Sequence, residues 1–270
     1  MRSSQLDQKT QGVMISVIIC TYNRDKYIFN VLESLAKNDF PRDRYEIVLV
    51  DNNCTDNTSS EVERFRKAYP EVNLRYFVET QQGLSYARNR GIAEALGDVL
   101  VFLDDDAFTE ADYLSNLSRL LDERPEIDCF GGKITPLFEE GREPDWLCSW
   151  TMSWVSALDL GEDIVPFRKG YPIGANMGFR KNVIDTCIGF NTSLGRTQKN
   201  LMGGEEKDMF IKVKKAGFSI YYLPGIEVHH VIPASRTTDD YVKRLGRGVG
   251  ASERLRCKAE GDLSYFKRIV

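Results

Sequence analysis

The chain has 270 residues, 42% of them hydrophobic and 28% charged, which suits one large globular α/β domain rather than two separate cores. A formal net charge of −4 argues against a general nucleic-acid binder. The longest apolar runs, such as residues 15–20 and 99–103, are strand-length and too short to cross a bilayer. Six scattered cysteines form no CxxC pair, which disfavours a zinc site and, with no signal peptide, suggests reduced thiols and a cytoplasmic protein.

Residues 1–12 are polar and read as a loose, disordered tail. Residues 15–20 are a β-branched run and predict a buried strand. Thr21-Tyr22-Asn23-Arg24 breaks it, and Tyr27, Val31, Leu32 and Leu35 then fall at helical spacing. A second strand over 47–50 ends in the turn-rich Asp51-Asn52-Asn53-Cys54-Thr55-Asp56, which can cap a helix running through Ala68. A third strand is predicted at 74–78, a helix from Gly83 to Leu96, and a fourth strand at 99–103. Alternating strands and helices of this kind imply βαβ units and a mostly parallel sheet. Ligands of such sheets bind beyond the carboxyl ends of the strands, so the polar clusters at 21–24, 51–56 and 104–106 should converge on one edge.

The second half is less periodic. Residues 136–172 hold all three tryptophans, Trp146, Trp150 and Trp154. A tight strand is predicted around 174–179 and a helix from Glu205 to Ala216. The tail after His230 looks helical and basic: Lys243, Arg244, Arg247, Arg254 and Arg256 stand against Glu253. That stretch reads either as a solvated helix face or as a surface meeting phosphates or anionic lipid.

Asp104-Asp105-Asp106 follows a buried strand directly. Three adjacent carboxylates repel one another, and a divalent Mg²⁺ or Mn²⁺ removes that cost while also holding substrate phosphates; the bland reading is a solvated turn before the next helix. Gly203-Gly204-Glu205-Glu206-Lys207-Asp208 offers carboxylates for general-base work, or simply acids favouring a helix dipole. His229 and His230, the two histidines, point to opposite faces if they lie on a strand, so at most one faces a site. Neutral imidazole joins carboxylates more readily around Mn²⁺ than Mg²⁺. Arg88 and Arg90 lie on different helix faces, and one of them can reach a phosphate. No GxxxxGK[ST] is present and no GxGxxG follows the first strand, so a P-loop is excluded and a dehydrogenase disfavoured.

Taken in order, these motifs resemble the family 2 glycosyltransferases, inverting enzymes with the GT-A fold. The resemblance begins at Ser16-Val17-Ile18-Ile19-Cys20-Thr21-Tyr22-Asn23-Arg24. It continues through Val50 to Asp56, Gly83 to Gly91, Leu103 to Asp106, Gly174-Ala175-Asn176-Met177 and Gly204 to Asp208, and fades after Arg236. It implies a GT-A domain over 13–235, with a nucleotide-sugar half (13–135), an acceptor and catalytic half (136–235), and a basic helical tail (236–270).

It also implies roles. Thr21, Tyr22 and Asn23, with Asp51 and Asn52, would contact the nucleotide, and Asn52 stands where the family often has Asp. Arg88, Asp104 and Asp105 would lie near the donor. Asp106, Asp104 and His230 would hold Mn²⁺ or Mg²⁺. Glu206 matches the family's catalytic Asp, with Glu205 and Asp208 as substitutes, and Trp146 and Trp150 fall in the acceptor region. The implied partners are a nucleotide-diphosphate sugar and a glycan or lipid-linked glycan acceptor, in bacterial polysaccharide or glycoconjugate synthesis. The tail is compatible with peripheral contact at the inner membrane face. The rival readings are a nucleotidyltransferase, which would normally carry a glycine- and lysine-rich phosphate loop that 21–24 lacks, and a non-catalytic nucleotide- or glycan-binding relative.

Overall fold

Continuous apolar runs produce strands that are covered on both faces. β1 (Ile15–Thr21) and β2 (Tyr45–Asp51) are buried along almost their whole length. The structure is a computed structural model describing residues 14–195 and 203–260; the expected tail at 1–12 and the last residues of the basic tail lie outside the described residues. Between β1 and β2 runs α1 (Asp25–Ala36), which buries Tyr27, Ile28, Val31, Leu32 and Leu35 at helical spacing. α2 (Thr58–Ala68), β3 (Leu74–Val78), α3 (Leu84–Glu94) and β4 (Val99–Asp104) complete the first half.

These four strands pair in parallel in the order β3-β2-β1-β4. The chain grows from β1 toward one edge, then returns to add β4 on the other side. That reversal opens a crevice above the carboxyl ends of β1 and β4. Cys20 pairs with Asp104 there, so the ends of the two strands meet at the crevice. α3 packs closely under β1 because Gly91 has no side chain: a Cβ at Gly91 would overlap Ile18 Cγ2.

The second half adds β5 (Ala107–Thr109), α4 (Tyr113–Glu123), β6 (Cys129–Phe138), β7 (Val165–Pro166), β8 (Asn176–Arg180), α5 (Lys181–Cys187), α6 (Glu205–Lys215), β9 (Ile220–Ile232) and α7 (Asp239–Glu260). β8 lies antiparallel between β4 and β6, β9 runs parallel to β6, and β5 and β7 pair antiparallel with β9. The sheet is therefore parallel in its first half and mixed in its second, and β6 runs without a break across position 135. β6 and β9 shift register between Gly132 and Lys133. Buried Asn176 satisfies that irregularity, donating to the carbonyls of Lys133 and Ile226 and accepting from the Tyr113 hydroxyl at 2.7 Å. Apolar clusters cover both faces, with Val17 and Ile19 against α1 on one side and Ile18 with Ala87 and Met177 on the other. Among the described residues, no helix is long and apolar enough to cross a membrane.

The opposite end of the sheet is fastened by a buried carboxylate. Glu46 accepts from Ser16 Oγ (2.6 Å), Leu96 N (2.7 Å) and Arg75 (2.9 Å), and is fully buried. Removing it leaves buried donors without a partner, although Arg75 is partly exposed and screened. Glu46→Ala should cost ~2 kcal/mol in denaturant unfolding while leaving nucleotide affinity unchanged, because the crevice lies at the far end of β2.

Candidate active site

A cleft of about 860 Å³ opens over the crevice. Thr21 and Tyr22 at the end of β1, Asn52 just after β2 and the acidic triplet that begins with the last residue of β4 form its floor. Arg88 and the first turn of α6 form one wall. Trp154 and α7 cover it, with Tyr241, Leu245 and Val249 recurring every fourth residue along the helix face turned inward.

The acidic triplet is placed by strand pairing. β4 ends at Asp104, and β5 then pairs with β9 so that Ala107 sits opposite His230. Val231 N donates to the Asp106 carbonyl at 2.9 Å, pinning the turn. His230 Nε2 lies 3.0 Å from Asp106 Oδ1 and 3.8 Å from Asp104 Oδ2. His230 and Asp106 are both 1% exposed, yet neither ring nitrogen makes a well-formed hydrogen bond. A buried imidazole without hydrogen bonds, beside two carboxylates, suits a cation ligand. One atom from each of Asp104, Asp106 and His230 falls within 4.8 Å of the others.

Burial pulls the His230 pKa down to about 4, against the attraction of Asp104, so the ring is neutral at pH 7 and its lone pair is available. Burial pushes the Asp105 carboxyl above its ordinary range, opposed by Arg24. Arg24 pairs with Asp106 and lies 3.5 Å from Asp105, while Arg236 lies 3.9 Å from Asp106. Two guanidiniums therefore meet the same carboxylates at the edge of the cleft. His229 points the other way, its Nε2 2.9 Å from Glu110 Oε1, as strand alternation requires.

Gly204, at φ 102°, turns the chain into α6. Arg88 donates from Nη1 to Glu205 Oε1 (3.1 Å) and from Nη2 to Glu206 Oε1 (3.0 Å). Burial works against the Arg88 charge, but Glu206 and Glu205 more than offset it and hold the guanidinium above the ordinary arginine range. Burial raises the Glu206 carboxyl above the usual glutamate range, opposed by Arg88 and reinforced by Glu205 and Asp104.

Several residues expected at the site are held by the fold itself, and some of them do not reach the cleft. Asn52 donates to the carbonyls of Glu79 and Gln81 and accepts from Gly83 N, so its amide organises the loop entering α3. Asp51 accepts from Cys54 N and the Tyr76 hydroxyl, and Asn23 accepts from Thr55 N at 2.8 Å; neither is among the residues lining the cleft. Asp208 pairs with Lys212 one turn along α6. Trp146 donates to the Thr237 carbonyl and lies against Trp154 at 6.5 Å, while Trp150 is 89% exposed; neither lines the cleft. Trp154 and Arg236 reach the cleft with no local signal in the sequence, whereas Arg24 lies in the polar cluster at 21–24 expected at this edge, although no role is expected of it there.

A sheet with this switch point, closed by a carboxylate–imidazole group, defines a GT-A nucleotide-sugar transferase fold. The glycosyl transferase family 2 profile matches residues 16–187, well over half the chain, and the protein belongs to that family. It is similar to the glucosyl-dolichyl phosphate glucuronosyltransferase of Haloferax volcanii, 24% identical over 249 residues, covering 89% of this chain and 76% of that one. Among solved structures it resembles S. aureus TarS residues 1–349 in complex with UDP-GlcNAc (TM-score 0.64, 25% identity, covering 82% of this chain and 58% of that one). It also resembles the Pyrobaculum calidifontis mannosyltransferase PcManGT in complex with GDP-Man and Mn²⁺ (TM-score 0.61, 22% identity, 83% and 59%). The chain thus spans under two thirds of each of these solved chains.

The neutral His230 sets a pH dependence. Protons compete with a cation for imidazole only near and below its pKa of about 4. Calorimetric Mn²⁺ affinity should therefore be flat from pH 8 to pH 6, whereas a histidine of ordinary pKa would lose about fourfold. His230→Ala should weaken Mn²⁺ binding at least about tenfold; unchanged affinity would remove His230 from the ligand set.

Proposed function

We propose that this chain transfers a sugar from a nucleotide-diphosphate donor to an acceptor hydroxyl by single displacement, inverting the anomeric centre. The observation carrying this reading is that Asp104 and Asp106, with buried His230 beside them, line the same cleft as the Glu205–Glu206 turn at the switch point of the sheet. Asp104, Asp106 and His230 would hold a divalent cation. Such a cation, when bound, stabilises charge growing on the diphosphate leaving group. The imidazole favours Mn²⁺ over Mg²⁺ as that ion.

The chain's own groups account for the remaining steps. Thr21 and Tyr22 line the nucleotide end of the cleft, and Asn52 shapes that end through the loop it holds. Arg24 and Arg236 supply positive charge near the phosphates. Glu206, at the wall of the cleft, takes the proton of the acceptor hydroxyl. Its raised pKa matches the task of a base working near neutrality. Trp154 and the inward face of α7 exclude water and present apolar surface to the acceptor.

The relative from Haloferax volcanii is named for transfer to a dolichyl-phosphate-linked sugar. By analogy we infer a glycan acceptor, lipid-linked in the favoured case. Lys243, Arg247 and Arg254 are exposed on α7, and a row of cations on the face turned away from the cleft suits peripheral contact with anionic lipid. Arg244 and Arg256 contribute less, since they pair with Asp240 and Glu253.

Glu206→Gln should retain nucleotide–Mn²⁺ binding and lower turnover by about 10²–10⁴-fold, read as release of free nucleoside diphosphate. Asp106→Ala should abolish the Mn²⁺-dependent stabilisation by UDP or GDP in a thermal-shift assay. Pyrophosphate as the product would indicate nucleotidyl transfer instead, and a Glu206→Gln protein as fast as the unaltered one would place the base elsewhere.

A further inference from the structure

The resemblance assigns Arg88 to the donor, but its surroundings give it other work. The side chain is 2% exposed and its guanidinium carbon sits 5.2 Å from the centre of the Phe190 ring. Both terminal nitrogens are engaged, one with Glu205 and one with Glu206. The two glutamates are not equivalent. The Glu205 side chain is 4% exposed and its second oxygen has no hydrogen-bond partner, whereas the Glu206 side chain is 21% exposed. Glu206 is therefore the carboxylate that an acceptor can reach.

The clamp is also built in from a third segment. Gly174 lies just before β8, and a Cβ there would overlap both Arg88 Nη2 and Glu206 Oε1. The missing side chain at Gly174 leaves room for the guanidinium and the carboxylate to meet. On the far side Gly195 approaches Ser85 and Glu205, where a Cβ would lie 2.8 Å from Ser85 Oγ and 3.6 Å from Glu205 Cδ. Among the described residues, the charged or titratable groups acting most strongly on Glu206 are Arg88 from α3, Asp104 from the end of β4 and Glu205 on its own helix, with Tyr171 from the segment before β8 also coupled to it. Arg88 is the cation of that described group. Without it, burial and two neighbouring acids would all act to neutralise Glu206.

We propose that Arg88 is the positioning residue of the general base: its guanidinium ties Glu205 and Glu206 together at the head of α6, keeps Glu206 turned to the cleft, and leaves the donor phosphates to other groups. This rests on Glu206 being the base. The two readings predict different losses. A phosphate ligand, when removed, weakens nucleotide binding. A positioning residue, when removed, lowers turnover at unchanged nucleotide affinity.

The test measures calorimetric affinity for UDP and GDP with Mn²⁺, and turnover of the sugar nucleotide that the unaltered protein consumes. Arg88→Ala should bind the nucleotide within about twofold of the unaltered chain and lose about 100-fold or more in turnover. Millimolar guanidinium chloride should restore part of that loss, and equal sodium chloride should not. Arg88→Lys should fall between the two proteins. Gly174→Ala, which keeps the arginine but crowds the clamp, provides a second variant if Arg88→Ala does not fold; it should lower turnover at constant nucleotide affinity. Parallel loss of nucleotide affinity and turnover in Arg88→Ala would make Arg88 a phosphate ligand and overturn the proposal, as would full turnover in either Arg88→Ala or Gly174→Ala. Glu206→Gln separates the two levels: if it is fully active the base assignment fails, whereas an inactive Glu206→Gln beside an active Arg88→Ala removes the clamp alone.

Discussion

The site depends on a concentration of negative charge that the fold must compensate. Asp106 is 1% exposed at the end of a buried strand, with Asp104 and Asp105 beside it. Ionised carboxylates so placed are costly unless cations face them. The chain supplies Arg24 and Arg236 at the edge and a neutral, hydrogen-bond-poor imidazole behind. The pairing of β5 with β9, which sets Ala107 opposite His230, is what brings residues 126 positions apart in sequence, 104 and 230, into one carboxylate–imidazole group.

A second charge arrangement governs the opposite wall. Glu205 and Glu206 open α6, where the helix dipole already favours acids, and Arg88 from α3 binds both. α6 is linked in turn to α7, since Lys207 pairs with Glu253 at 2.7 Å and a Cβ at Gly204 would lie 3.4 Å from Ser252. The acidic turn is therefore held between an arginine below and the covering helix above. α7 has two faces with different work: Tyr241, Leu245 and Val249 look into the cleft, and exposed cations look outward.

Much of the first half was legible in the sequence. Continuous apolar runs specified β1, β2 and β4 because strands buried on both faces need nothing else, and β3 fell at the expected 74–78. α6 starts at Glu205 as expected and ends at Lys215, just short of Gly217. β6 and β9 were not legible. β6 contains two glycines and a proline, and β9 is interrupted by Pro224-Gly225 where the register shifts, so neither shows the continuous run or strict alternation that marks a strand. The antiparallel insertion of β8 between β4 and β6 is a long-range pairing that no local pattern encodes. The site divides in the same way. The acidic triplet and the glutamate turn announced themselves by composition. The engagement of Asn52 by the α3 loop, the exposure of Trp150 and the arrival of Trp154 and Arg236 at the cleft depend on tertiary packing.

The most direct measurement is the anomalous signal at the manganese edge from crystals grown with Mn²⁺ and UDP. A single strong peak bounded by Asp104, Asp106 and His230, with the diphosphate against it and beside Arg24 or Arg236, is the predicted result. A peak elsewhere, or a diphosphate bound in the cleft with Asp106 and His230 making no part of its ion's shell, would contradict the account.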